Sequence, residues 1–252
     1  MNRRRWLIGA LATAGAAALS ACDRAVYAVT DQARRMAEGL TRRAQRLVVP
    51  REALAPTYAK ADISPDFRPN GSVDPAASNY LALKANGFAD YRLEIGGLVE
   101  RPLSLSLAEL RARPSRTQIT KHDCVEGWTS IAEWTGVRLE TLLDEAGLKP
   151  QAKYIVFHCF DALDQREDGE RYYESIDLFD ARHPQTILAY RMNGQVLPVP
   201  HGAPLRLRVE RQLGYKHAKY IRRIEAVESF AHLGRGKGGY WEDRGYEWYA
   251  GI

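Results

Sequence analysis

The sequence of 252 residues is poor in cysteine and lacks several nucleotide- and metal-binding signatures. Its three cysteines, at positions 22, 124 and 159, are too few for a disulfide scaffold in a chain of this length. It contains no P-loop, no C-x-x-C pair, no H-E-x-x-H motif and no C-x-x-C-H haem-attachment motif. These absences exclude a P-loop nucleotide hydrolase, a simple zinc protease and a c-type haem. The net charge of +5 is modest, and no nucleic-acid partner is predicted.

The N-terminal apolar stretch is too short for a comfortable membrane span and is typical of an export signal. Three arginines at positions 3–5 precede alanine-rich residues at 6–19. Residues 2–7 resemble a twin-arginine signal, and Leu-Ser-Ala-Cys at 19–22 resembles a lipobox that would make Cys22 the lipidated first residue. We therefore predict an export signal with a lipobox at positions 1–21, and a protein at the periplasmic face of the cytoplasmic membrane, lipid-anchored or soluble. An ordinary secretory signal with an incidental Cys22 is the alternative.

Positions 22–60 are predicted to hold an amphipathic helix followed by a proline-containing linker. Apolar residues recur there at three- and four-residue steps, which is the spacing of one helix face. Five arginines lie on the other face, at positions 34, 35, 42, 43 and 46. Behind a lipid anchor, such a helix suits an anionic membrane surface. A spacer helix that packs on its own domain explains the pattern equally well.

Residues 61–252 are predicted to form one β-rich α+β domain. Short helices are interspersed among strands without a regular βαβ rhythm, which favours mixed or antiparallel sheets. A capping box at 106–109 opens a predicted helix, and glycine ends the helical stripe at 139–147. Asn-Gly at 193–194 is the preferred type I′ turn of a hairpin. The aromatic stretch at 240–249 could wall a pocket or a partner surface, or close the core.

The segment His-Asp-Cys-Val-Glu-Gly-Trp at 122–128 is the most informative one for chemistry. A predicted strand at 117–123 runs into Cys124, whose thiolate would suit a soft metal or a metal that bears sulfur ligands. A small buried apolar residue is one alternative for this cysteine. A nucleophilic enzyme is another, because His122 and Cys124, two residues apart on a strand, would point to the same face.

Several sequence blocks occur in the order found in one protein family. They lie at 97–103 (Gly-Leu-Val-Glu-Arg-Pro-Leu), 124–128 (Cys-Val-Glu-Gly-Trp), 134–137 (Trp-Thr-Gly-Val), 183–186 (His-Pro-Gln-Thr), 201–207 (His-Gly-Ala-Pro-Leu-Arg-Leu) and 214–221 (Gly-Tyr-Lys-His-Ala-Lys-Tyr-Ile). With these blocks, the chain from Phe67 onward resembles the molybdopterin-dependent oxidoreductases of the sulfite-oxidase-fold family. Among them it is most similar to the periplasmic protein-methionine-sulfoxide reductase catalytic subunits.

The resemblance implies a Mo-molybdopterin cofactor and assigns residues to it. Cys124 would bind molybdenum directly, and the other sulfur ligands would be the dithiolene of molybdopterin. Arg206 would meet the pterin phosphate, because its planar fork matches two oxygens. His217, Ala218 and Lys219 would complete that anion site. The other implied cofactor-binding residues are Arg68, Asn70, Cys159 (Thr in the reductases) and His201 (usually Asn).

Each of these assignments has an ordinary structural alternative. Arg206 and Arg208 alternate with apolar residues and could form the solvated face of a strand. His201 and His217 could be hydrogen-bonding residues of the surface or the core. Cys159 could be a packed apolar side chain.

The resemblance also implies oxygen-atom transfer coupled to a two-electron change. Glu126 is expected to donate a proton or to orient the site, with a plain surface carboxylate as the alternative. Because its charge would repel sulfite, the sequence favours reduction of a neutral S-oxide or N-oxide, small or protein-bound. Without a haem motif, the electrons would come from a membrane donor such as a haem protein. A sulfite-oxidising enzyme and a non-catalytic lipoprotein module on the same fold are the alternatives.

Overall fold

A computed structural model describes Ala33, residues 36–167 and residues 169–252. The chain divides into two compact units, Met1–Val49 and Pro50–Ile252. In the first unit the backbone is helical at positions 36–48, while the predicted export signal, the lipobox and most of the first turns of the predicted amphipathic helix lie outside the described residues. None of the described helices has both the length and the apolar composition that a membrane crossing requires.

The described part of the second unit contains two five-stranded sheets. The strands are β1 (Arg92–Gly97), β2 (Leu103–Ser106), β3 (Ser115–Asp123), β4 (Thr129–Arg138), β5 (Tyr154–Ala162), β6 (Arg171–Asp177), β7 (Ile187–Met192), β8 (Gln195–Val196), β9 (Arg206–Arg208) and β10 (Ile221–Val227). One sheet has the order β2-β1-β10-β5-β6, and the other has the order β3-β4-β7-β8 with β9 also paired to β7. Only the β1–β10 pair among these described strands is parallel. The predicted α+β class with mixed sheets is confirmed.

Short helices connect the strands, and their ends follow the sequence signals. The helices are α1 (Ser78–Ala85), α2 (Leu107–Arg111), α3 (Leu139–Ala146) and α4 (Leu178–Ala181), with 3-10 turns at Lys60–Asp62, Val199–His201, Gly214–Lys216 and Glu242–Arg244. At the start of α2, the Ser106 hydroxyl accepts from the Glu109 N–H, and the Glu109 carboxylate accepts from the Ser106 N–H. Asn193 and Gly194 have φ values of 48° and 75°, as a type I′ turn requires.

Two apolar clusters hold the two sheets together and position the chain around the end of β3. The main cluster draws residues from both sheets and from α1, α2 and α3. A smaller cluster on the second sheet includes Phe67 and Trp134. The Phe67 ring also lies 5.5–6.3 Å from the ring centroids of His122, Trp128 and His201. The chain before α1 is thereby held against the end of β3.

The basic residues of β9 are buried, which differs from the solvated strand face considered above. Arg206 and Arg208 both have 0% exposure. Their guanidinium groups lie 5.1 and 4.5 Å from the ring centroid of Trp134. The strand prediction is confirmed, but its charged face points into the protein, where a charge is costly unless it is paired.

Candidate functional site

Cys124 lies in a tight turn directly after β3. Its N–H donates to the Trp128 carbonyl at 2.9 Å, and its carbonyl accepts from the Gly127 N–H at 3.0 Å. The thiol is 9% exposed. Burial raises its pKa, and the Glu126 backbone N–H, which donates to the sulfur, opposes that rise. The turn thus presents a nearly buried sulfur of the kind that loses its proton when a metal binds it.

His122 does not activate this thiol. Its Nδ1 lies 3.0 Å from Nη1 of Arg208, and since a guanidinium can only donate, Nδ1 accepts. In the described chain, no hydrogen bond joins His122 to Cys124. Burial, followed by the charge of Arg206, holds the pKa of His122 well below its ordinary value. This neutral and already engaged imidazole is a poor base, which weighs against the thiol-nucleophile alternative.

A cleft with a volume of about 130 Å³ opens beside Cys124. Segments that are far apart in the sequence form its walls: the chain before α1, the cysteine turn, the end of β5, the 3-10 turn after β9 and the C-terminal segment. Its polar lining includes Asn70, Ser72, Glu126, Asp161, His217 and Lys219. Its aromatic lining is Tyr172, Tyr215, Trp241 and Tyr246.

Asp161 and Lys219 give the cleft an acid and a base that both titrate near neutrality. One carboxylate oxygen of Asp161 accepts from the Ser72 hydroxyl, and Oδ1 is buried without a partner. Burial raises the pKa of Asp161 to about 6, against the opposing hydrogen bond from Ser72. The Lys219 ammonium donates to the carbonyls of Ser72 and Pro200. Burial, and then Arg206, lower the pKa of Lys219 to about 7.

Arg206 and Arg208 are equally buried but differ in their partners. Arg208 forms a two-point pair with Glu210, at 2.9 Å from Nε and 2.6 Å from Nη2. Arg206 reaches only neutral oxygens, the His201 carbonyl at 3.2 Å and the Asn70 side chain at 3.3 Å, and its Nε is buried without a partner. Burial, and then the charge of Arg208, lower the pKa of Arg206 to about 9. Arg206 is therefore a buried cation that still requires an anion.

These residues fit an anionic cofactor that brings its own sulfur ligands. Arg206 Nε and His122 Nε2 are buried donors without acceptors, and Lys219 donates only to neutral carbonyls. Phosphate oxygens would supply the missing acceptors. Across the described residues, no group of three or more His, Cys, Asp or Glu side chains could hold a metal ion. A metal beside Cys124 would therefore take most of its ligands from a cofactor.

The structure brings together half of the ten residues singled out from the sequence. Cys124, Asn70, Glu126, His217 and Lys219 line one cleft. Arg68 is exposed, and its guanidinium lies 6.0 Å from the Trp128 ring centroid. Arg206 is buried in β9 and donates to Asn70 of the cleft lining, while Ala218 and Cys159 belong to the main core cluster. His201 lines a neighbouring cavity together with Phe67.

Ala218, His201 and Cys159, which do not line the cleft, have surroundings that bear on their predicted roles toward the cofactor. The Ala218 N–H donates to the Lys216 carbonyl at 3.2 Å and so has a protein partner. Burial lowers the pKa of His201 to about 4, and its Nδ1 is buried without a partner. Cys159 has 0% exposure, as a packed apolar side chain would. The roles of these three residues toward the cofactor stay predictions.

Sequence reasoning missed Asp161, Ser72 and Tyr172 as cleft residues. Asp161 carried a usable signal, because a carboxylate inside the otherwise apolar run of β5 is rarely buried without a function. Ser72 and Tyr172 carried none, since serine in a loop and tyrosine in a strand are common. Only the fold brings them to the cleft.

The Arg206→Met variant is expected to separate stability from cofactor loading. Removing a buried and uncompensated cation should raise the free energy of unfolding of the cofactor-free protein by about 1–4 kcal/mol. Cofactor affinity should fall about 10- to 100-fold, because the phosphate loses its strongest donor. Denaturant unfolding of the cofactor-free protein and the molybdenum content of the loaded protein measure the two effects.

Arg208→Met is the matched control for this prediction. It removes the same kind of side chain from the same strand but leaves the buried Glu210 carboxylate without its counter-charge. The free energy of unfolding should then fall by about 3–5 kcal/mol. Equal destabilisation by both substitutions would show that Arg206 is compensated in the cofactor-free protein.

Known proteins resemble this chain over most of the second unit. The family model described as "Oxidoreductase molybdopterin binding domain" matches residues 81–232. A putative protein-methionine-sulfoxide reductase subunit YedZ1 of Azospira oryzae is 43% identical over 163 residues, which are 65% of this chain and 56% of the relative. The protein-methionine-sulfoxide reductase catalytic subunit MsrP of Xanthomonas axonopodis pv. citri is 37% identical over 155 residues, 58% of this chain and 48% of the relative. The chain spans about half the length of these curated relatives.

A solved structure supports the same fold. The crystal structure of the sulfane dehydrogenase SoxCD from Paracoccus pantotrophus superposes with a TM-score of 0.50 and 29% identity, covering 56% of this chain and 39% of that one. The sulfite-oxidase fold expected from the sequence resemblance is confirmed. Because the family model covers more than half of its length, this chain belongs to the family of oxidoreductase molybdopterin-binding domains.

Proposed function

We propose that this protein reduces an organic S-oxide by oxygen-atom transfer at a molybdenum that Cys124 binds. One observation carries the proposal: a nearly buried thiol shares a cleft with Lys219, whose ammonium donates only to neutral carbonyls, and Asn70 of the cleft lining accepts from the buried Arg206, which also has no anionic partner. That arrangement suits a molybdopterin, which combines sulfur ligands for the metal with a phosphate. The relatives named as methionine-sulfoxide reductases support the choice of an S-oxide.

The residues of the chain would hold the cofactor. Cys124 would supply the protein ligand, and Arg206 and Lys219 would bind the phosphate. Asn70, which accepts from Arg206, and His217 would complete the pocket. When bound, molybdopterin supplies the two-electron oxygen-atom transfer. Conversion of the S-oxide to a thioether and water also consumes two protons, for which Glu126 and Asp161 are the acidic residues that line the cleft.

The charge near the mouth of the cleft favours a neutral substrate. The Glu126 carboxylate is exposed and accepts from the Trp128 indole N–H at 2.9 Å, which fixes it two residues after Cys124. A carboxylate so placed repels a sulfite dianion but leaves a neutral S–O group unaffected. Reduction of an S-oxide is therefore favoured over oxidation of sulfite.

The sequence supports a proposal for the electron donor and for the location. We propose that a membrane-bound electron carrier such as a haem protein reduces the domain. The N-terminal signal, the lipidated Cys22 and the arginine-rich helix would keep the protein at the periplasmic face of that membrane. A protein-bound or small S-oxide would reach the cleft from the periplasm.

A paired activity assay tests the direction of the reaction. Protein exported from a host that makes molybdopterin should reduce N-acetyl-methionine sulfoxide with a reduced viologen dye. Its kcat/KM for the oxidation of sulfite with ferricyanide should be about tenfold or more below its kcat/KM for the sulfoxide. The reason is that one like charge near the metal costs more than about 1.4 kcal/mol. Faster sulfite oxidation would reverse the proposed direction. A molybdenum-free protein that is inactive in both assays would favour the non-catalytic module.

A further inference from the structure

The C-terminal segment forms part of the cleft although it lies beyond the residues that define the family. The family model ends at position 232, and Trp241 and Tyr246 line the cleft with Cys124. Both side chains are half-buried, so each ring keeps an accessible surface. Residues outside the family-model match thus supply an aromatic wall beside Cys124.

Buried acidic residues between its two aromatic rings fix this segment to the domain. Glu242 pairs with the fully buried Lys216 at 2.5 Å, and Lys216 also pairs with Glu174 of β6. The Asp243 carboxylate accepts from the Tyr173 hydroxyl at 2.6 Å, and it also accepts from backbone N–H groups of residues 235 and 237. Such buried contacts leave little freedom for the neighbouring residues Trp241 and Tyr246.

The aromatic rings also fix one another. Trp241 and Tyr246 stack with their centroids 5.1 Å apart and their planes at 26°, and the Tyr246 N–H donates to the Trp241 carbonyl at 3.0 Å. The rings of Tyr215 and Tyr246 meet edge-on, with their centroids 5.2 Å apart. The Tyr215 hydroxyl donates to the Glu247 carbonyl at 2.7 Å. The wall is therefore formed before any ligand arrives, which reduces the entropic cost of binding on it.

We propose that Trp241 and Tyr246 form the specificity-determining wall of the cleft and bind the apolar groups attached to the S–O centre. The inference rests on the proposed S-oxide reduction. Aromatic faces contact alkyl and aryl groups favourably and lack a cation that would select an anion. Asp161, Lys219 and His217 belong to the polar part of the lining, which is assigned to the cofactor and to proton supply. S-oxides with substituents larger than methyl should gain from the wall, and dimethyl sulfoxide should gain little.

Trp241→Leu in the molybdenum-loaded protein tests the wall. The KM for methyl phenyl sulfoxide should rise about tenfold with kcat little changed, while kinetics with dimethyl sulfoxide stay within about twofold of the unmodified protein. Trp241→Phe, which keeps an aromatic face, should restore most of the lost affinity. Trp248→Leu is the matched control, because its indole packs on Tyr154 and Phe230 and is not part of the cleft lining.

A binding measurement provides a readout that does not need turnover. Titration with the unreactive methyl phenyl sulfone, followed by isothermal titration calorimetry, should give a Kd about tenfold higher for Trp241→Leu than for Trp248→Leu. Equal sulfone affinity in these two variants, with equal molybdenum content, would overturn the assignment of the wall. If the unmodified protein reduces neither sulfoxide, the proposed function fails, and the sulfone titration still decides whether the wall binds such groups.

Discussion

Cys124→Ser is expected to abolish both molybdenum retention and S-oxide reduction. A serine hydroxyl is a hard and weakly acidic ligand, and no described cluster of other side chains could hold the metal in its place. Losing several kcal/mol of metal-centred stabilisation corresponds to a fall in kcat/KM on the order of 10³. The measurements are steady-state reduction of N-acetyl-methionine sulfoxide and the molybdenum content of the same preparation.

Cys159→Ser is the matched control for that result. It makes the same atomic change in a cysteine that is fully buried in the main core and is not part of the cleft lining. It should cost some stability but leave the molybdenum content close to that of the unmodified protein. Loss of the metal from Cys159→Ser, with retention in Cys124→Ser, would exchange the roles of the two thiols.

Lys216→Met is expected to be, together with Arg208→Met, the most destabilising single change considered. Lys216 has 0% exposure and lies between two buried carboxylates, Glu174 and Glu242. Without the ammonium, both acids lose their counter-charge, which should lower the free energy of unfolding by about 3–5 kcal/mol. The C-terminal segment should loosen first, because Glu242 is one of its anchors. Denaturant unfolding and hydrogen exchange of the Tyr246 amide measure these effects.

Glu174→Gln serves as the control and predicts a pH dependence. Burial, and then the neighbouring Glu242, raise the pKa of Glu174 well above its ordinary value. A carboxyl group with a raised pKa in the folded state stabilises the fold below its unfolded pKa, and this contribution is lost as the pH rises through the folded pKa. The amide variant should therefore lose less stability than the unmodified protein on alkaline titration. A large loss of stability in Glu174→Gln at every pH would show that Glu174 and Glu242 are both ionised in the unmodified protein.

The parts of the fold that were predictable from the sequence are those that depend on neighbouring residues. The Ser106–Glu109 capping box and the Asn193–Gly194 turn need only a few consecutive residues, and both formed as predicted. The parallel pairing of β1 with β10 joins residues more than a hundred positions apart, so no local pattern contains it. Nor does local sequence show that Arg206 is buried, since that depends on Trp134 of another strand.

The candidate site was predictable where the resemblance supplied motifs and not where the fold alone assembles residues. Cys124, His217 and Lys219 were found because they sit in blocks shared with a family, and the structure places all three on one cleft. Asp161 reaches the same cleft from the end of β5 without any motif. The resemblance alone assigned Cys159 to the cofactor; in the structure it packs into the main core cluster, and that role stays a prediction.

Molybdenum content tests the Cys124-centred site most directly. Protein exported from a molybdopterin-producing host should contain about one molybdenum atom and one fluorescent pterin per chain. Cys124→Ser should contain almost no metal, and Cys159→Ser a nearly full complement. Absence of molybdenum and pterin from the unmodified protein, despite a correctly folded cleft, would contradict the site and with it the proposed S-oxide reduction.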